Sequence, residues 1–168
     1  MQIKTSTVRE KRQWIYAQDE AFDPDIFDED EYSMAMLSND AARWGAMLRP
    51  GQTPAIWTYR VPTGRVRLHL ETLALQGHLS TLIWDAVRLC LVGVTNLVSE
   101  KGDVVVRQKA RHPDAKAPCV DDATMNLISA VDDGAIVSTL GTSILLASKI
   151  IDTPTDEEPD EQEGDQGK

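Results

Sequence analysis

The residues of this chain that could do chemistry are three histidines (His69, His78 and His112), two cysteines (Cys90 and Cys119) and a scatter of aspartates. Imidazoles and thiolates gather a transition metal when their spacing lets one turn or one hairpin bring them together. No Cys or His pair here has zinc-finger, zincin or redox spacing. No metal ligand or cofactor is therefore expected. A general base also needs a partner that orients it, and the sequence shows none, so His69 and His78 read as structural or solvent-facing residues flanking a helix hairpin. Asp23, Asp25 and Asp28 invite comparison with a calcium-binding loop. However, Asp28 stands at the sixth position, where glycine makes the sharp turn, and Phe27 at the fifth offers no oxygen. There is no phosphate-cradling glycine loop, and neither Ser143 nor Ser148 sits in a nucleophile elbow. Catalytic residues are expected to be absent, and an enzyme is the least favoured class.

Binding is the better prospect, and charge bears on what is bound. The chain carries a net charge of −10, unevenly spread. Residues 19–31 hold eight carboxylates and no basic residue, and residues 152–168 hold eight against a single lysine. Arg60, Arg65 and Arg67 stand beside Trp57 and Tyr59, and Lys101, Arg107, Lys109, Arg111 and Lys116 make a basic loop. Such patches suit nucleic acid, but a duplex would repel the two acidic blocks, so nucleic-acid binding is not expected. Contact between the basic loop and the chain's own acidic arm is an equally good use of the charges. Within the arm, Phe22, Ile26 and Phe27 lie among the carboxylates, the pattern of a segment that docks a few apolar side chains while its charges stay wet. Phe22, Ile26, Phe27, Trp57 and Tyr59 are the candidate partner-binding residues.

The elements that must position these residues centre on His78 to Val94. There Leu79, Leu82, Ile83, Ala86, Val87, Cys90, Leu91 and Val94 recur at helical spacing and paint a broad apolar stripe. Asp85 and Arg88 fall outside that stripe, three apart, where they could pair weakly on the solvent side. Upstream, Tyr32 to Leu48 reads as one helix and Ala55 to Val61 as a strand. Gly64 to Gln76 reads as a helix capped by Thr63 and broken from the central one by Gly77. Downstream, Val94–Val98 and Val104–Val106 could pair as a hairpin, and Arg107 to Pro118 reads as a surface loop. Asp121 or Asp122 caps a helix with Met125, Leu127 and Ile128 inside, and a last helix runs from Ala135 to Ile151.

The predicted fold is mainly α with a minor β element (α+β), a compact helical domain formed by packing helices 64–76, 78–94 and 135–151. It divides into an N-terminal segment with the acidic arm (1–31), the helical domain (32–151) and a disordered acidic tail (152–168) that lacks any apolar residue. With 42% hydrophobic residues in 168, one core and one domain are expected. No apolar run is long enough to span a membrane, and the polar opening lacks the centre of a secretory signal. Two cysteines with no need to staple the fold suit a reducing compartment.

The segment AIWTYRVPTGRVRLHLE, then VRLCLVGVTNLVSEKGDVV, then a short acid-capped helix and a closing LGTSILLASKI, resembles the tail-assembly chaperone group of tailed bacteriophages and prophages. The resemblance covers about residues 55–151. It implies a small, acidic, largely helical, non-catalytic protein of the host cytoplasm that binds the tape-measure protein and helps assemble tail-tube subunits around it. No catalytic or metal motif is there to carry over. The acidic arm departs from the group and leaves a place in the virion open; a homo-oligomer is also open. The alternative function is an acidic phage-encoded inhibitor that mimics nucleic acid and blocks a host DNA-binding or defence protein.

Overall fold

A computed structural model describes residues 10–152, so Val8 and the acidic tail from residue 153 lie outside it. The sheet consists of β1 (Lys11–Trp14), β2 (Ile56–Arg60) and β3 (Leu91–Thr95), antiparallel with β2 in the middle. Side chains along β2 alternate between two faces. Trp57 and Tyr59 are buried, while Ile56, Thr58 and Arg60 are half-buried on the other face. Trp57 faces Trp14 across the ladder, with ring centroids 6.4 Å apart and edge-on.

Six α-helices are described: α1 (Glu29–Ser38), α2 (Ala41–Gly45), α3 (Gly64–Leu75), α4 (Leu79–Cys90), α5 (Asp122–Ser129) and α6 (Ala135–Ala147). A mixed α+β fold follows. Two small hairpins, β4 (Val98–Ser99) with β5 (Gly102–Asp103) and β6 (Ala110–Arg111) with β7 (Pro118–Cys119), complete it. The main core joins Trp14, Trp57 and Tyr59 of the sheet to Leu70 and Leu73 of α3, to Leu82, Ala86 and Val87 of α4, and to Leu140, Ile144 and Leu145 of α6. Helices α4 and α6 cross at Gly141, where a Cβ would meet the Ile83 carbonyl oxygen at 2.6 Å. Glycine sits there because the two backbones touch.

Several expectations are corrected. The central helix stops at Cys90, and Leu91 passes directly into strand β3 instead of continuing to Val94. A short apolar run fits either period, and here the open edge of β2 decides. Its backbone groups need partners, and Thr95, Val94, Gly93 and Leu91 supply them. The helix expected from Tyr32 to Leu48 is two helices: Asn39 takes a left-handed conformation (φ 54°), and Asp40 then accepts from the amides of Ala42 and Arg43 to start α2. The last helix ends at Ala147, and Leu127 is exposed where it was placed inside. The hairpin after Val94 is confined to Val98–Ser99 with Gly102–Asp103. Arg107 to Pro118 is more than a surface loop, for it holds the β6 strand and buries His112 and Ala115.

The acidic arm is folded by its own carboxylates. Asp19 accepts from the amides of Ala21 (2.9 Å) and Ala55 (3.0 Å), and Asp28 caps α1 by accepting from Glu31 N. Around these turns Phe22, Ile15 and Met47 form a second small core, against which Phe27, Tyr32 and Trp44 pack. Ring pairs Phe22–Phe27 (5.1 Å) and Phe22–Tyr32 (6.0 Å) are both edge-on. Tyr32 donates to Ile15 O, and burial pushes its phenol well above its ordinary pKa. Among the described residues no ion pair joins the arm to the basic loop. Arg67 instead pairs with Glu71, and Arg88 pairs with Asp122.

Candidate functional site

Two features could carry function. The first is a cluster the sequence reading did not assemble. Helix α3 contributes His69, α4 contributes Asp85 and the loop after β6 contributes His112, so three separate elements meet at one point. Asp85 Oδ2 lies 2.7 Å from His69 Nε2 and 3.1 Å from His112 Nε2. Side-chain exposures are 13% for His69, 7% for Asp85 and 4% for His112. Asp85 was expected on the solvent side with Arg88; it is buried instead, and Arg88 reaches Asp122 at 3.0 Å. The clue lay in the helical wheel, since Leu82 and Leu89, both buried, bracket Asp85 at i−3 and i+4. His69 is likewise bracketed on α3, by Val66 and Leu73.

The donor set of two imidazoles and a carboxylate is one that transition metals use. His112 Nδ1 accepts from the amides of Asp114 (3.2 Å) and Ala115 (3.1 Å). An acceptor nitrogen carries a lone pair, so the ring proton sits on Nε2 and is donated to Asp85. A metal ligated by Nε2 would need the proton on Nδ1, pointed at two amide hydrogens. The third ligand is thereby occupied, and the residues do not fit a three-ligand metal centre. What the arrangement does chemically is fasten the β6–β7 hairpin to α4 through a buried hydrogen-bonded carboxylate. The thiol nearby follows suit: burial pushes Cys119 up, against the pull of the Arg88 guanidinium. Trp57 Nε1 is the only fully buried side-chain polar atom without a partner among the described residues, so the cluster leaves no sealed polar atom unsatisfied.

The second feature is a groove between α1, β1 and α6. One cleft of about 220 Å³ is lined by Trp14, Tyr32, Met36, Leu37, Tyr59, Leu146 and Ala147, with Gln13, Ser33 and Ser143 at its edges. A second, of about 280 Å³, shares Trp14, Tyr32 and Ser143 with it and continues past Tyr16 to Ser138, Thr139 and Thr142. The α6 wall is made of Leu146, Ala147 and four small hydroxyl residues, Ser138, Thr139, Thr142 and Ser143. Thr139 and Thr142 donate their hydroxyls to the carbonyls of Ala135 and Ser138, one turn back. The exposed lining of both clefts is mainly apolar, with Gln13, Ser33, Ser138 and Ser143 adding polar groups, and Leu37 at the lip is 53% exposed.

Of the five candidate partner-binding residues, Trp57 and Phe22 are core, Tyr59 is buried yet touches the groove, and Phe27 is half-buried. Ile26 alone is exposed. Phe22 and Phe27 border a shallow polar cleft with Asp19, Glu20 and Arg49. Strand aromatics that alternate with half-buried neighbours are core residues by default, and only the tertiary fold reveals which of them also reaches a surface. Among the described residues no single helix is long and apolar enough to cross a membrane. Compared with known proteins, the chain matches no family model, no curated protein and no solved structure.

Proposed function

We propose that this protein is a non-catalytic assembly adaptor that holds an apolar segment of a protein partner in the groove between α1 and α6. The groove carries this reading: two continuous clefts with a mainly apolar exposed lining, in which the Thr139 and Thr142 hydroxyls are bonded to their own helix, favour apolar burial over polar chemistry. The His69–Asp85–His112 cluster supports it from the other side, because its members spend their hydrogen bonds on one another and on the loop. The resemblance to tail-assembly chaperones makes a phage tape-measure protein and tail-tube subunits the partners, met in the host cytoplasm. Neither nucleic acid nor a membrane is among them.

Apolar burial is not screened by salt, whereas an encounter steered by carboxylates is. The test is therefore co-purification with phage tail-tube and tape-measure proteins, at two salt concentrations, with Ala147→Trp to fill the groove. A complex that survives salt and is lost with Ala147→Trp is expected. Capture of a DNA-processing enzyme, with affinity collapsing in salt and in variants neutralised at Asp23, Asp25, Glu29 and Asp30, would replace the adaptor by the nucleic-acid mimic.

A further inference from the structure

We infer that the occupant of the groove is an amphipathic helix of the partner whose one end is basic, docked with that end over the carboxylates at the Tyr16 end. This rests on the adaptor reading and adds the partner's chemistry. Along α6 the groove runs from Ser138 to Ala147, about 14 Å at the rise of an α-helix, which suits an occupant of two to three helical turns. Both walls are helices, so an apolar stripe repeating at i, i+3 and i+4 matches their grooves.

Charge sets the direction. At the Tyr16 end, Asp132 accepts from the Tyr16 hydroxyl at 2.7 Å, a bond that raises the phenol's pKa, and exposed Asp133 follows it. The first turn of α1 brings exposed Glu29 and Asp30 to the same end, one turn before Ser33 on the groove's edge. At the other end stand Lys149, exposed just past α6, and Arg12, whose guanidinium bonds the Leu37 carbonyl and pairs with Glu10 at 2.9 Å. The N-termini of α1 and α6 both lie at the acidic end and together offset only about one elementary charge. Four carboxylates outweigh them, so that end stays negative, whereas at the far end Glu10 and the C-termini of both helices roughly cancel Lys149 and Arg12.

The probe is a pair of 14-residue peptides sharing one leucine and alanine face, one ending in two lysines and the other in two glutamates, titrated into the full chain at low and moderate salt. The lysine peptide is expected to bind about tenfold more tightly at low salt, with the difference shrinking to less than about twofold at moderate salt. The same narrowing is expected in a variant carrying Glu29→Gln, Asp30→Asn, Asp132→Asn and Asp133→Asn, whose fold is checked by circular dichroism. A paramagnetic label beside the lysines should broaden the resonances of Tyr16 and spare those of Lys149. Equal binding of both peptides, or broadening at Lys149, overturns the charge assignment and leaves the groove as the adaptor's site. Failure of both peptides to bind, or a dimer of this chain that splits on Ala147→Trp, overturns the adaptor reading as well.

Discussion

At the scale of single residues, His112 does the most. Its ring accepts two amide hydrogens through Nδ1 and donates to Asp85 through Nε2, so removing it orphans the amides of Asp114 and Ala115 and strips a partner from a buried carboxylate. His112→Ala should cost about 2–4 kcal/mol of unfolding free energy, on the scale of leaving buried polar groups unpaired. Asp85→Asn, which keeps an acceptor for the two rings, should cost clearly less. Denaturant unfolding of the two variants checks both statements, and a neutral His112→Ala would mean that the hairpin is held elsewhere. Asp85 was legible as a charged residue on a helix but not as a buried one, because its burial depends on His69 and His112 arriving from other elements.

Elements impose their own tests. At the crossing of α4 and α6, an alanine at 141 would gain about 1 kcal/mol in helix propensity. It would also drive its Cβ against a backbone carbonyl that cannot turn aside. Overpacking of this kind costs about 1–3 kcal/mol, so Gly141→Ala should lower the melting temperature, and a rise would show the two helices slackening without penalty. The start of α5 gives a pH test. Asp121 accepts from Thr124, through the hydroxyl and the amide, which holds its carboxyl below the ordinary carboxylate range. A lowered folded pKa means that the cap's contribution is present above the unfolded value and is lost as pH falls through the folded one. Acid titration of stability should therefore be shallower at its foot in Asp121→Asn than in the parent chain. This cap was foreseen, since an aspartate ahead of an apolar-periodic run is a local signal. The break at Asn39–Asp40 had the same kind of signal and was overlooked.

For the molecule as a whole, the core is one body from the sheet to α6, and Val87 lies fully buried within it. An unpaired carboxylate there costs several kcal/mol, comparable to the roughly 5–15 kcal/mol that holds a domain together. Val87→Asp should accordingly give a chain without a cooperative melt. A cooperative transition would place α4 outside the core. The arm belongs to this body too: Asp19 holds the amide of Ala55, next to β2, and Tyr32 bonds the chain just after β1. Most of its carboxylates are exposed, as expected, but Asp19 and Asp23 are half-buried, and its order comes from turns that the charge count hid.

The sequence by itself determined what depends on neighbours along the chain. Such features include the faces of α3 and α6, the alternation along β2, the cap at Asp121, and the breaks at Pro62 and Gly77. Each follows from side-chain periodicity or from a backbone group satisfied within four residues. The tertiary structure alone decided that Leu91–Thr95 is a strand, that Asp85 meets two histidines, and that α1 and α6 enclose a groove. Those outcomes turn on partners far apart in sequence: an open strand edge, a buried charge in need of donors, and two helix walls that approach only once the core has formed.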